Sequence, residues 1–270
     1  MTRRTFAGLL SVPLAASTAF AAETAKERGK RLVDKVIEGL GGDAFRSMRT
    51  RTEIGRASTF YRESLTGYSP ARLYTKYLES AVSGQTTRAG ILELQRQVFG
   101  KKQEDAVIFT EIEAFDVTYR GAKPLADDKV KQFRENTLHD VFYILRQRLS
   151  EPGIEFEGAG MDVVENQSVQ ALDIFDSENR NVRVWVNSDT FLPVKQRYYR
   201  WDATINDRRE EVTRYTTYRE AGNGVMWPHI TSRERDTEML SEMRSEHVTV
   251  NDSLPDSMFE LPNGIKILKP

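Results

Sequence analysis

The chain has 270 residues, with 39 basic side chains against 40 acidic ones, a net charge of −1 and no cysteine. No disulfide, thiolate metal site or cysteine nucleophile can form, and so balanced a surface gives no electrostatic reason to expect nucleic acid as a partner. Beyond the first residues no run of eighteen apolar residues occurs, so no later helix is predicted to span a membrane.

Residues 1–21, MTRRTFAGLLSVPLAASTAFA, have the layout of an export signal. Arg3 and Arg4 give a positive start, Phe6 to Ala16 a short apolar run, and Ala19-Phe20-Ala21 the small residues at −3 and −1 that a signal peptidase accepts. Thr2-Arg3-Arg4-Thr5-Phe6 is similar to a twin-arginine signal, with a general secretory signal as the alternative. The expectation is a periplasmic protein whose residues 22–270 form a single domain; no lipobox cysteine follows the signal.

The first helix is predicted over Ala25–Leu40, where Leu32, Val33, Val36, Ile37 and Leu40 share one face and Gly41-Gly42 ends the run. A short turn of helix is expected from Asp43 to Met48. From Thr50 the period changes from 3.6 to 2. Strands are predicted at Thr52–Arg62, Leu73–Leu78, Ile91–Phe99, Val107–Glu113 and Phe115–Arg120, separated by Gly67/Pro70, Gly84/Gly90, Gly100 and Ala114. One long helix follows over Asp127–Leu149, with Val130, Phe133, Leu138, Val141, Phe142, Leu145 and Leu149 at helical spacing and Pro152-Gly153 closing it. Strands then resume at Ile154–Val164, Val169–Asp176, Val182–Asn187, Pro193–Asp202, Glu210–Arg219, Val225–Glu234 and Met243–Val250. A sheet of 11–12 antiparallel strands tends to curl, which makes the fold class α+β, an incomplete and strongly curved antiparallel β-barrel.

Catalytic patterns are sparse. No G-x-S-x-G, H-E-x-x-H or P-loop pattern is present, and the three histidines His139, His229 and His247 are too few for a zinc site or triad of their own. His139-Asp140 reads as an exposed pair on the mid-chain helix, and His229 as a strand residue. Glu111 and Glu113, two apart on a predicted strand, point to one side and could divide acid and base roles, which with a histidine as the alternative is the route to a hydrolase or lyase. In Arg197-Tyr198-Tyr199-Arg200-Trp201, strand alternation favours cross-strand packing with cation–π contacts over a nucleic-acid site. No metal or cofactor site is expected.

Several segments carry a resemblance. The amphipathic helix ending in Gly41-Gly42 is followed by a long first strand, TRTEIGRASTFYRES. VRVWVNSDTFLPVK (Val182 to Lys195) has an aromatic-hydrophobic strand that turns at Asn/Asp and re-enters through Leu-Pro, and GVMWPHI and VTVNDSLPDSMFELP close the chain. In this order they resemble the lipoprotein-carrier superfamily of LolA-like carriers and LolB-like acceptors. The resemblance implies helices covering the open side of the barrel, an apolar cavity for acyl chains and a non-enzymatic role. Lipid or acylated lipoprotein would be the cargo, exchanged with inner- or outer-membrane transport components. Candidate cavity-lining residues are Ile54, Phe60, Leu92, Leu94, Val98, Ile108, Ile112, Phe133, Phe142, Leu145, Val184 and Val186, with the mid-chain helix as cover. For the lid arginine that the resemblance implies, Arg51, Arg56 and Arg62 stay alternatives. An envelope protein-interaction module on the same fold is the second reading, and the paired carboxylates the third.

Overall fold

The computed structural model describes residues 23–79, 91–101, 105–110 and 113–269; the predicted export signal, Glu111 and Ile112 lie outside them. The first helix, α1 (Ala25–Leu40), forms where the periodicity places it. Thr24 caps it: the Glu27 N–H donates to Thr24 Oγ1 (3.2 Å), and the Thr24 N–H donates to the Glu27 carboxylate (2.8 Å). At the other end Gly41 takes φ 117°, where a Cβ would also lie 2.7 Å from the Gly224 carbonyl oxygen. A one-turn helix, α2 (Asp43–Ser47), buries Phe45 and leads into the sheet.

Among the described residues thirteen strands make one antiparallel sheet. In chain order they are β1 (Thr50–Tyr61), β2 (Ser64–Tyr77), β3 (Glu93–Phe99), β4 (Asp105–Phe109), β5 (Ala114–Thr118), β6 (Gly121–Pro124), β7 (Glu155–Val164), β8 (Gln167–Phe175), β9 (Asn181–Asn187), β10 (Pro193–Asp202), β11 (Asp207–Glu220), β12 (Met226–Arg235) and β13 (Glu238–Val250). The order across the sheet is β6-β5-β4-β3-β2-β1-β13-β12-β11-β10-β9-β8-β7. First and last strands therefore meet in the middle, and the sheet stays open between β6 and β7. The C-terminal segment covers the β6 edge: the Ala122 N–H donates to Lys266 O (2.9 Å) and the Leu268 N–H to Ala122 O (2.8 Å).

Three sequence expectations are corrected. The predicted break at Gly67/Pro70 lies inside β2, where Gly67 registers with Thr59 and Pro70 with Arg56; the hairpin instead turns at Arg62-Glu63, both at positive φ. Strand β6 was not foreseen, because four residues ending in proline show no period. The single helix over Asp127–Leu149 is two pieces. The first, α3 (Asp127–Leu138), stops at His139; Asp140 then starts a new turn, α4 (Val141–Tyr143), which runs into a π-helical turn over Ile144–Arg148. Asp140 Oδ1 accepts the Phe142 and Tyr143 N–H groups, an N-cap in the middle of an apolar periodic run.

This mid-chain segment connects the two edge strands, and with α1 it packs on the concave face. Leu32, Val33, Val36, Ile37 and Leu40 pack with Phe142, Leu145, Leu172, Val184, Val186, Tyr215 and Trp227 in one buried core. The π-helical turn is pinned by Arg148, which donates to Leu138 O (2.7 Å), Glu151 and Asp176 (each 2.6 Å). A smaller core (Val98, Ala106, Ile108, Phe115, Val117, Ala122) lies on the outer face of the other half, with Leu261 and Ile265 of the C-terminal segment packed on it.

Helix α1 approaches β7 at Gly29, where a Cβ would stand 2.3 Å from Phe156 O. Gly29→Val must push helix and strand apart, at about 2 kcal/mol or more. For a domain of this size that lowers the melting temperature by roughly 4–8 °C. An unchanged transition by circular dichroism would contradict this packing.

Candidate functional site

Half of the concave face is solid; the other half is not. Between α3 and the inner face of β1–β3 and β11–β13 lies a cavity of about 320 Å³, at the low end of small-molecule sites. Its inner end gathers Arg51, Glu53, Tyr77, Glu93, Asp140, Tyr215 and Trp227, and its outer part Ala57, Leu73, Phe99 and Met243. A second hollow of about 230 Å³, under α3 on the β10–β13 side, shares Asn136, Arg233 and Ser241 with the first.

Strand alternation explains why charged side chains line it. On β1, Arg51 and Glu53 point inward while Ile54, registered with Arg72, points outward. On β3, Glu93, Gln95 and Gln97 point inward while Leu94 and Val98 point outward. Arg51 is largely satisfied: it donates to Glu53 (2.9 Å), to the Tyr77 hydroxyl and to Thr75 Oγ1 (3.2 Å), and lies 4.1 Å above the Trp227 ring. Glu53 also accepts from Ser245 Oγ (2.8 Å). Glu93 is 5% exposed and accepts only from the Gln95 amide (2.7 Å) among the described hydrogen bonds. Burial pushes its carboxyl up to about 7; Arg51 opposes this and Asp140 adds to it. Burial likewise raises Asp140, against its two backbone hydrogen bonds and the charges of Arg233 and Arg51.

The cover is α3, and it is lightly seated. Only Thr137 and Leu138 are buried on it. Near its middle Phe133 stacks on Phe109 at 3.6 Å, and Asn136 accepts from the Tyr198 hydroxyl (2.8 Å). His139 and Asp140, expected as an exposed pair, are neither: His139 is 4% exposed and stacked on Tyr198 at 4.1 Å, and Asp140 lines the cavity.

The apolar candidates from the sequence distribute as follows. Of those described, Phe142 alone lines the cavity, against Trp227 (4.5 Å) and Tyr215 (4.9 Å). Leu145, Val184 and Val186 belong to the core with α1. Ile54, Leu94, Val98 and Ile108 lie on the outer face, Phe60 beside the β1–β2 turn opposite Leu65, and Leu92 before β3, its carbonyl accepting from Gln147 (2.7 Å). Phe133 sits on the cover, and Ile112 lies outside the described residues. Of the three lid-arginine alternatives only Arg51 faces inward; Arg56 pairs with Glu246 on the surface and Arg62 is a turn residue.

Strand β4 ends at Phe109, and the Thr110 N–H donates to Glu113 O (2.8 Å), so Glu113 lies outside β4, just ahead of β5; its expected partner Glu111 is outside the described residues. His229 is buried with Nδ1 2.8 Å from Ser245 O. In the Arg197–Trp201 stretch, Arg197 lies over Trp185 (5.3 Å) and Tyr199 (5.5 Å) and pairs with Glu210, while Arg200 pairs with Glu211. Among the described residues no helix is long and apolar enough to cross a membrane, and no group of three potential metal ligands occurs.

No protein-family model matches the chain, and no curated protein does. Solved structures do. A domain from Vibrio parahaemolyticus described as an outer membrane lipoprotein-sorting protein is 10% identical, with a TM-score of 0.56 over 87% of this chain and 97% of that one. A DUF1329 family protein from Desulfovibrio piger is 14% identical, with a TM-score of 0.58 over 86% and 97%. The likeness establishes the fold that this chain shares with them: an open, curved antiparallel barrel with N-terminal and mid-chain helices on its concave side.

The raised Glu93 carboxyl has a consequence for stability. Between its ordinary value of 4.5 and about 7 the folded chain holds a proton that the unfolded chain has lost, so this group makes stability fall as pH rises through that window. Glu93→Gln removes the dependence, and its melting temperature relative to wild type is expected to rise from pH 5 to pH 8. A constant difference across that range would contradict the assignment.

Proposed function

We propose that the protein is a non-enzymatic carrier or binder of one lipid or acyl-bearing ligand, held in the cavity under α3, and that it works in the periplasm. The observation that carries this reading is the unequal filling of the concave face. Helix α1 and the α4 segment pack their half solid, whereas α3 overhangs a partly open cleft with few buried residues of its own. The fold shared with a lipoprotein-sorting domain supports it, and the signal-like residues 1–21 support export.

The cavity accepts less of a hydrocarbon chain than an apolar barrel would. Each methylene taken from water contributes about 0.8 kcal/mol, so covering three or four against Leu73, Phe99 and Met243 supplies roughly 3 kcal/mol. The remaining affinity must come from the polar inner end and from α3 settling on the ligand. A carrier that releases cargo without ATP benefits from such a division, because a cover held by the Phe133–Phe109 stack, the Asn136–Tyr198 hydrogen bond and the small cluster around Leu138 opens at less cost than the packed core.

Delipidated protein titrated with a fluorescent lauroyl-chain probe is expected to bind it saturably, one to one, at micromolar concentration. Ala57→Trp, which fills the outer part of the cavity, should weaken binding at least tenfold, about 1.4 kcal/mol. Absence of saturable binding would contradict the carrier reading; full binding by Ala57→Trp would move the site elsewhere.

A further inference from the structure

The cavity's charges do not balance. The ionisable groups facing it are Arg51 and Glu53 from β1, Tyr77 from β2, Glu93 from β3, Asp140 and Tyr143 from the mid-chain segment, Tyr215 from β11, Arg233 from β12 and Glu242 from β13. The tyrosines are neutral, since burial raises Tyr77, Tyr143 and Tyr215 further above their ordinary value. Glu242 is paired with Arg244 (2.5 Å), so two arginines stand against three carboxylates, Glu53, Glu93 and Asp140. The imbalance is sharper at the inner end. Arg51 and Glu53 neutralise each other, with three of the Arg51 donors engaged within the protein. Arg233 is exposed towards the outer part, on the strand position registered with Ser241. Glu93 and Asp140 are left without a cation of their own.

The surroundings of these two carboxylates suit a cation. Phe142 and the ring of Tyr215 line the same inner end, and aromatic faces attract positive charge; the rings of Trp227 and Tyr77 already carry Arg51 and Arg146. Glu93 is 5% exposed and its one described hydrogen bond, from Gln95, leaves acceptor capacity towards the cavity. Asp140 spends one oxygen on the α4 N-cap, while the other has only the Tyr215 hydroxyl at 3.4 Å. An ammonium group carries three donors and no acceptor, the complement of this arrangement. A ligand carboxylate or phosphate would instead face Glu93 and Asp140 and would have to compete with Glu53, Tyr77 and Thr75 for Arg51.

We propose that the cavity selects amphiphiles with a cationic amine head, bound with the ammonium between Glu93 and Asp140 and the chain directed outward past Leu73, Phe99 and Met243. The inference rests on the carrier reading and names the ligand class of the same cavity. It also gives the raised Glu93 carboxyl a use. A bound ammonium favours the ionised form, so amine binding strengthens as pH rises from 6 to 8, while the alkylamine itself, with a pKa of about 10 like that of lysine, stays charged.

Calorimetric titration of delipidated full-chain protein with decylamine, decanol and decanoate tests this. The amine is expected to bind at least tenfold more tightly than the alcohol, and decanoate more weakly than either. In Glu93→Gln the ratio of amine to alcohol affinity should fall about tenfold, and its increase between pH 6 and 8 should disappear. Decanoate equal to or tighter than decylamine would overturn the proposal while leaving the carrier reading standing, as would an unchanged amine-to-alcohol ratio in Glu93→Gln. Failure of all three to bind would remove the carrier reading and this one together.

Discussion

A sheet that curls without closing leaves a concave face that the chain must cover with its own segments, and the structure depends on how that cover is divided. The thirteen strands end at β6 and β7, and the residues between these edges are the mid-chain helical segment. Were this one continuous amphipathic helix, it would seat a single apolar stripe along the whole face. Asp140 prevents that. By accepting two backbone N–H groups it ends one helix and starts another. Arg148 then fixes the second piece by binding the Leu138 carbonyl, Glu151 and Asp176. One piece becomes core, and the other becomes a roof.

The same residue links architecture to chemistry. As a helix cap, Asp140 must sit at the break; as a carboxylate at the inner end of the cavity, it raises the neighbouring Glu93 carboxyl. The cost of placing unbalanced charge inside the barrel is limited by the Arg51–Glu53 pair, the Trp227 face and the hydroxyls around them. A buried polar cluster of this kind does little for stability.

Much of the architecture was legible in the sequence. Helix α1 has the boundaries its periodicity gives, and β10 runs over Pro193–Asp202 as read. The lining of the cavity was not legible, and the reason is physical. On β1 and β3 the apolar face was read as inner and the charged face as wet. The C-terminal segment, with Leu261 and Ile265, covers the outer face, so apolar Val98 and Ile108 are buried there while Arg51, Glu53 and Glu93 turn inward. Alternation tells which residues share a face, not which face a distant segment will cover. Asp140 did carry a signal: an aspartate ahead of Val-Phe-Tyr inside an apolar run is a cap as readily as an exposed helical residue.

The division of the mid-chain segment into a fixed piece and a separable cover is most directly tested by native-state hydrogen exchange with and without a bound amphiphile. The account predicts that amides of α3 exchange much faster than those of Val141–Arg148 in the free protein, and that the ligand slows α3 selectively. Equal protection across 127–148, unaffected by ligand, would mean that the segment is one permanent part of the core and that nothing opens over the cavity.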